Sequence, residues 1–268
     1  MRTSALRDAG IHPKLAVVIA GEDPASLAYL RNLTRAGART GVEVAVDRLS
    51  ERATAGEIRT RLQELGADSS VHGVMLQQPL PDHLAIREIA EAIAVDKDVD
   101  GSNPINQGHL AFGGGRAEFV PATPLAVMLL LERSPHWPLR GRRAAMVGRS
   151  SVVGIPAAIL MLSANAAVTI LHSKSGDLEP YLQTSEVVVA AAGVPGLIRG
   201  SQLMPGATVI DVGTTLVDGE LKGDVDFDSA VTVVGAITPV PGGVGPVTIV
   251  ALLRNVVQSA EGSGASQR

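Results

Sequence analysis

The sequence predicts an α/β fold of two domains built on parallel sheets. Three observations carry that prediction. Short β-branched runs alternate with amphipathic stretches of helical length. The strand–helix pattern restarts near residue 120. The chain has 268 residues, 46% of them apolar and only 2% aromatic, which is enough for two aliphatic cores of ordinary size.

The elements follow in order. LAVVIAG at 15–21 is continuous and β-branched, the pattern of a buried strand, and Gly21 closes it. Pro24 marks a helix start, and apolar residues recur at helical spacing as far as Gly41. VEVAVDRL at 42–49 alternates like a strand. Residues 54–68 form an amphipathic helix with a threonine cap and a glycine stop. VHGVMLQ at 71–77 is a third strand and 83–94 a third helix. The second half repeats the logic. Helices are predicted at 123–134, 155–165 and 246–260, and strands at 143–148, 167–172, 186–193, 207–213 and 232–238. The tail EGSGASQR at 261–268 is small and polar, the composition of a disordered end.

Composition excludes several classes. The net charge is −4 and no basic block occurs, which argues against nucleic acid or an anionic membrane as partner. There is no cysteine, so disulfides and thiolate metal sites are excluded. The six histidines are scattered without H-x3-H spacing, and no metal site is expected. MRTSALRDAGIHPK lacks a signal-peptide core, and no apolar run reaches about 18 residues, so no membrane span is expected and a cytoplasmic location is the default.

Two glycine-rich segments carry chemistry. The strand at 143–148 runs into Gly148-Arg149-Ser150-Ser151-Val152-Val153-Gly154 and then a helix. This strand–turn–helix unit suits a phosphate, because a helix N-terminus offers N–H groups and a positive dipole end. The spacing is G-x5-G, which by itself also fits an ordinary βα turn. No Asp or Glu occurs between Ala144 and Gly176, where an NAD-binding fold places an acid for the ribose 2′-hydroxyl. Arg149, Ser173 and Lys174 are available instead and suit a 2′-phosphate, so NADP is predicted over NAD; otherwise they are ordinary solvated side chains. TPVPGGVGPVT at 238–248 reads as a turn whose glycines let a ligand approach the backbone.

Together with VHGVMLQQPLP at 71–81, KDVDG at 97–101 and HSK at 172–174, these segments resemble the methylenetetrahydrofolate dehydrogenase/cyclohydrolase family in order and spacing, from about Leu15 to Val257. The resemblance implies an N-terminal α/β/α folate-side domain (1–120 plus 250–268), to which the last helix returns. It implies a C-terminal Rossmann-like NADP domain (121–249) and a cleft between the two. It implies oxidation of 5,10-methylenetetrahydrofolate in one-carbon metabolism and purine biosynthesis, and a homodimer. Carried over by position, it places Gly148, Arg149, Ser150, Ser173 and Thr214 on the cofactor. Thr214 stands where Ile is commoner. It places Tyr29, Asp100, Pro241, Gly242 and Gly243 on folate, and gives Tyr29, Gln77 and Asp100 catalytic roles.

One position departs. The family has a Lys four residues after the Tyr, on the same helical face, and a Gln on the third strand hydrogen-bonds to it. Here that position is Leu33. Hydride removal from the methylene bridge needs alignment and no proton acceptor. Hydrolysis of the methenyl product needs an acid/base group, worth on the order of 10²–10⁴ in rate, which an isobutyl side chain cannot be. None of the other lysines, Lys14, Lys97, Lys174 and Lys222, lies on this helix, and Arg31 and Arg35 point off the Tyr29 face. A dehydrogenase with a lost or much reduced cyclohydrolase step is the expectation. A silent folate- or NADP-binding paralogue, an enzyme bifunctional through a substitute acid/base, and an amino-acid-dehydrogenase-like enzyme of the same fold remain as alternatives. Two lesser departures are a shortened segment before Leu15, where the family carries a further helix, and Asn103 where His is common.

Overall fold

The computed structural model describes residues 2–113 and 119–265. In chain order the first elements are α1 (Arg2–Asp8), β1 (Lys14–Ala20), α2 (Pro24–Thr40), β2 (Glu43–Leu49), α3 (Ala55–Ala67), β3 (Gly73–Leu76), α4 (Ile86–Ile89) and α5 (Pro104–Ala111). There follow α6 (Ala122–Leu131), β4 (Arg143–Val147), α7 (Gly154–Ser163), β5 (Ala167–Leu171), α8 (Glu179–Leu182), β6 (Val187–Ala190) and β7 (Thr208–Asp211). The last are β8 (Thr215–Val217), β9 (Glu220–Lys222), α9 (Phe227–Ala230), β10 (Ala236–Ile237) and α10 (Val244–Ala265). The chain divides into two compact units: Met1–His109, Gly115–Ala122 and Ile249–Arg268 make the first, Leu110–Gly114 and Thr123–Thr248 the second.

The first unit holds a three-stranded parallel sheet in the order β2-β1-β3, with Leu15 opposite both Val44 and Gly73. β1 is central and buried from Leu15 on, which is why it reads as an unbroken apolar run. Asp23 starts α2: its Oδ2 accepts the Ser26 N–H at 2.7 Å, and Pro24 follows where no N–H is needed. Gly41, at φ 82°, ends it. The helix buries Ser26, Leu30, Leu33 and Gly37. At Gly37 a Cβ would lie 2.7 Å from both the Val42 carbonyl oxygen and Val44 Cγ2, so the helix comes onto β2 at a distance only glycine permits. α3 opens with a reciprocal Thr54–Glu57 box and buries Ile58, Leu62 and Leu65 among Val18, Val74 and Leu76.

Four sequence expectations change in this unit. α3 runs through Gly66 and stops at Asp68, so the expected glycine stop is absent. Of the helix expected at 83–94, only α4 and a 3-10 turn at Ala90–Ala92 form. Ala85 and Ile93 are extended, no side chain caps the start, and the His83 ring is held 3.0 Å from the Ala53 carbonyl oxygen. The N-terminal segment is helical despite its brevity, and α10 continues through residues 261–265, where disorder was expected. One ion pair ties those ends: Arg2 Nε lies 2.8 Å from Glu261 Oε1. The rest of the tail expectation, 266–268, lies outside the described residues. Asn255 fixes α10 in this unit by donating to the Val99 and Val120 carbonyls at 2.8 and 2.9 Å.

The second unit holds a five-stranded parallel sheet in the order β10-β7-β6-β4-β5. Alternate residues serve its two faces. Met146, Val187, Val189 and Ile210 pack with Ala157 and Met161 of α7; Ala145, Val147, Val188 and Val209 pack with Leu182, Ile198, Leu203 and Ala230. The strand expected at 232–238 shrinks to β10, because Val233 and Val234 still donate to the Ala230 carbonyl in the turn after α9. A β8–β9 hairpin, not anticipated, turns on Asp218 and Gly219 at φ 51° and 84°. α10 starts at Val244, ahead of the expected 246. Among the described residues no helix is long and apolar enough to cross a membrane.

Gly37→Ala tests the helix–strand approach. A glycine-to-alanine change inside a helix ordinarily gains about 0.5–1 kcal/mol. Here the added methyl must displace backbone, and overpacking costs about 1–3 kcal/mol. Urea denaturation should show net destabilisation; a variant as stable as the parent or more so would refute the close approach.

Candidate active site

In the second unit the phosphate-type turn follows β4. Gly148 adopts φ 121°, and a Cβ there would lie 2.2 Å from the Ala191 carbonyl oxygen. A Cβ on Gly154 would lie 2.4 Å from the Gly148 carbonyl oxygen. The two glycines therefore fold the turn tightly onto itself and onto the loop after β6. The expectation that the start of α7 offers its N–H groups freely needs correction. Ser150 Oγ already accepts the Val153 and Gly154 N–H groups at 3.2 and 3.3 Å. Ser150 thus holds the turn that leads into α7, with its residue exposed beside Arg149.

β5 brings the second half of this edge. Val147 pairs with Leu171, and the Gly148 N–H donates to the Leu171 carbonyl at 2.8 Å, so Gly148–Ser150 runs beside His172–Lys174. His172 shapes that end: its Nδ1 accepts the Lys174 N–H at 3.1 Å, and its own N–H goes to Ser175 Oγ at 2.9 Å. Ser173 and Lys174 are exposed. The Arg149 and Lys174 side chains form no ion pair or hydrogen bond among the described residues. Two unpartnered cations beside a turn that any side chain would fill fit the phosphates of a dinucleotide.

Thr214 is exposed at the end of β7, between Gly213 and β8. Behind it lie two aspartates that sequence reasoning passed over. Asp211 accepts the N–H groups of Gly213, Asp224 and Val225 at 2.9–3.0 Å. Asp224 accepts those of Ala192, Gly193 and Val194. Burial pushes the Asp211 carboxyl up to about 6 against the opposing pull of the Val225 and Asp224 N–H groups, and the Asp224 charge adds to the rise. The signal for both was a carboxylate set beside glycines, in Asp211-Val212-Gly213 and Gly223-Asp224. The 239–243 turn also belongs to this unit. Gly242 takes φ 103°, and a Cβ on Gly243 would lie 2.5 Å from the Pro239 carbonyl oxygen, so this turn too is closed to side chains. Pro241 and Gly242 are exposed just ahead of α10.

In the first unit Tyr29 and Asp100 come together. Tyr29 is half-buried on α2, and its phenol is raised by burial and then by the charge of Asp100, so it stays a hydroxyl donor. Asp100 is half-buried as a residue, but enclosure of its carboxyl pushes it up to about 7. The neighbouring Asp98 charge adds to that rise, and the Ala122 N–H opposes it. Asp98, fully buried, is a further residue missed. It accepts the Ser102 and Asn103 N–H groups at 2.9 and 2.8 Å and Asn106 Nδ2 at 2.9 Å. Asn103 gains a role here, since its Oδ1 accepts the Ile105 N–H at 2.8 Å at the start of α5 while its Nδ2 donates to Ile93. Gln77 closes β3 with 7% exposure. Its Nε2 donates to the Gln78 carbonyl at 2.5 Å, while its Oε1 is buried with no hydrogen-bond partner. Ser26 Oγ, 3.4 Å from that same carbonyl, joins α2 to this strand end. Leu33 has 0% exposure. Arg31 and Arg35 lie on the outer side of α2, lining a groove of about 390 Å³ with Leu27, Val46 and Arg48. Among the described residues no cluster of His, Asp or Glu could hold a metal ion.

Comparison with known proteins gives the family. Residues 1–100 match the catalytic domain of tetrahydrofolate dehydrogenase/cyclohydrolase, and 121–263 match the NAD(P)-binding domain of the same family. A protein named bifunctional protein FolD from Bordetella petrii is 47% identical over 261 residues, covering 97% of this chain and 88% of its own. The crystal structure of the bifunctional FolD dehydrogenase/cyclohydrolase of Campylobacter jejuni superposes with a TM-score of 0.92 at 40% identity, over 97% of this chain and 92% of its own. The Trypanosoma brucei dehydrogenase-cyclohydrolase, complexed with NADP and an inhibitor, does so at 0.91 and 35%, over 98% and 93%.

Asp100 yields a pH test. Its folded pKa of about 7 lies above the ordinary carboxylate value of 3.8, so the folded state holds the proton longer than the unfolded chain. Stability from this group is therefore greatest at low pH and falls as pH rises towards 7, at no more than about 1.4 kcal/mol per unit. Asp100→Asn removes the penalty and keeps an acceptor for Ala122. Its unfolding midpoint should gain on the parent progressively between about pH 4 and 7 and level off above that; a constant difference across that range would contradict the enclosed carboxylate.

Proposed function

The chain belongs to the tetrahydrofolate dehydrogenase/cyclohydrolase family, and from that premise we propose that it oxidises 5,10-methylenetetrahydrofolate with NADP while its hydrolytic step is lost or strongly reduced. NADP, when bound, takes the hydride from the methylene bridge and leaves the delocalised methenyl cation. The chain's own residues hold the partners. Gly148, Arg149, Ser150, Ser173 and Thr214 receive the cofactor, with Arg149 and Lys174 beside the 2′-phosphate. Asp100 accepts N–H donors of the pterin, which favour its ionised form against the enclosure that raises it, and Tyr29 keeps its hydroxyl proton as a donor. Pro241, Gly242 and Gly243 shape the side for the aminobenzoyl part. Hydride departure demands geometry and no side-chain base, so nothing in this set has to titrate during the step.

Hydrolysis is different. Water must attack the methenyl carbon, and protons must move before a C–N bond breaks. What supports the loss of that step is one observation: Leu33 is fully buried where the family carries Lys, and the amide oxygen of Gln77, which supports that Lys in the family, is buried with no donor. A buried acceptor left unpaired costs about 1–3 kcal/mol, the signature expected of a pair reduced to one member. The relatives' names carry both activities, and full bifunctionality through another acid/base is the second reading.

A single assay decides. Purified protein receives 5,10-methylenetetrahydrofolate and NADP, and reduced cofactor and methenyl product are recorded together. Both should rise and the methenyl form should persist. Decay of that form well above its protein-free rate, as fast as it is made, would sink the monofunctional reading. Leu33→Lys should gain hydrolysis by on the order of 10²–10⁴, because a desolvated ammonium has a lowered pKa and can serve as the missing acid/base group. If neither signal rises although NADP binds, the silent-paralogue reading holds.

A further inference from the structure

The loops that end the strands of the second sheet are tied by a chain of buried contacts. Thr238 Oγ1 accepts the Asp211 N–H at 2.8 Å. Asp211 in turn accepts the Asp224 and Val225 N–H groups at 3.0 and 2.9 Å and the Gly213 N–H at 2.9 Å. Asp224 then gathers the loop after β6. Its Oδ2 accepts Ala192 and Gly193, the latter at 3.0 Å, and its Oδ1 accepts Val194 at 2.8 Å. That loop is the wall against which the phosphate-type turn closes, since Ala191 carbonyl oxygen fills the place of a Gly148 Cβ at 2.2 Å. Both carboxylates are almost fully enclosed, with 3% and 0% exposure. Two glycines exist to let them in: a Cβ on Gly213 would lie 2.3 Å from Asp224 Oδ1, and one on Gly223 would lie 2.1 Å from Asp211 Oδ2.

Neither aspartate is needed to fill a core. An enclosed carboxylate costs several kcal/mol unless its oxygens are fully occupied, and apolar side chains would pack the same space at no such cost. What the pair gives is definition. Successive N–H groups of a loop without regular structure converge on one fixed charge, and the loop is held in one conformation.

We propose that Asp224, seated on Asp211, is a positioning residue for the cofactor edge: it fixes Ala192–Val194 against the Gly148 turn, and the affinity for NADP depends on that fixation. The inference rests on the dehydrogenase reading. It concerns different residues from those that would touch the cofactor, because both carboxylates lie beneath the loops.

Asp224→Asn is the test. The amide is isosteric but presents an NH2 group to N–H donors whichever way it turns. In cofactor-free protein, hydrogen exchange at Ala192, Gly193 and Val194 should accelerate about tenfold or more, with β4 amides unchanged. Titration should show NADP binding weakened about tenfold or more, and the KM for NADP should rise while that for the folate stays within about twofold. Gly213→Ala, which pushes on the same carboxylate without removing it, should weaken NADP binding too and stands in if the asparagine variant does not fold. An Asp224→Asn or Gly213→Ala protein that binds NADP as the parent does overturns the proposal alone. A parent protein that binds no NADP overturns the dehydrogenase reading and this proposal with it. Equal loss of folate and NADP binding, with exchange raised throughout the second unit, marks a general structural role and also overturns it.

Discussion

A carboxylate removed from water has to be given N–H groups, and the loops of this protein are arranged around that requirement. Asp98, Asp211 and Asp224 have 0–3% exposure. Each accepts three N–H groups, nearly all from backbone that belongs to no helix or strand. Parallel sheets leave their ligand-binding edge to loops, which have no ladder to hold them. A buried anion supplies the missing constraint, because several loop amides lose their partner together if the chain moves. In the first unit Asp98 orders the segment carrying Asp100; in the second the Asp211–Asp224 pair orders the wall of the glycine turn. Asp100 is raised first by the enclosure of its own carboxyl and then by the charge of Asp98, so the acid that organises the loop also acts on its neighbour.

Strands were the most legible part of the sequence, for a physical reason. β1, β4, β6 and β7 are buried on both faces, so each shows an apolar run in the sequence, though the runs read at 186–193 and 207–213 extend past β6 and β7. Helix limits were legible where one residue decides them, as at Pro24, Thr54 and Gly41, whereas the Asp23 cap emerged only from the structure. The failures lie where the outcome depends on contacts distant in sequence. Residues 83–94 have helical spacing, yet the His83–Ala53 contact and an uncapped Ala85 leave only one turn. The last five described residues of α10 are small and polar, yet Arg2 reaches Glu261 from the opposite end of the chain. The Asp218-Gly219 hairpin was readable from its dipeptide and was overlooked beside larger signals.

The site divides similarly. Glycines reveal themselves because the absence of a side chain is written in the sequence, and those at 148, 154 and 243 each prove to be places where a Cβ has no room. Buried aspartates do not: in sequence they look like any loop acid, and only their donors distinguish them. Ser150 shows the intermediate case. Its place in the turn was clear, but its hydroxyl is engaged within that turn, accepting the Val153 and Gly154 N–H groups.

Under the proposed reading, loss of the lysine is physically self-consistent. Position 33 lies on the buried stripe of α2 with Leu30 and Gly37, so leucine completes an apolar face and leaves no enclosed cation in search of a counter-charge. Gln77 cannot follow as easily. Its Nε2 is bound to the Gln78 carbonyl at 2.5 Å, and an apolar replacement would give up that bond to relieve one lone pair on the other end of the amide. The remaining mismatch falls on an oxygen the hydride step never uses. In that reading the first unit contributes Tyr29 and Asp100 to the hydride step, which needs position and no proton from residue 33. Under this reading one substitution separates the two reactions, because hydride transfer is limited by position and hydrolysis by a proton.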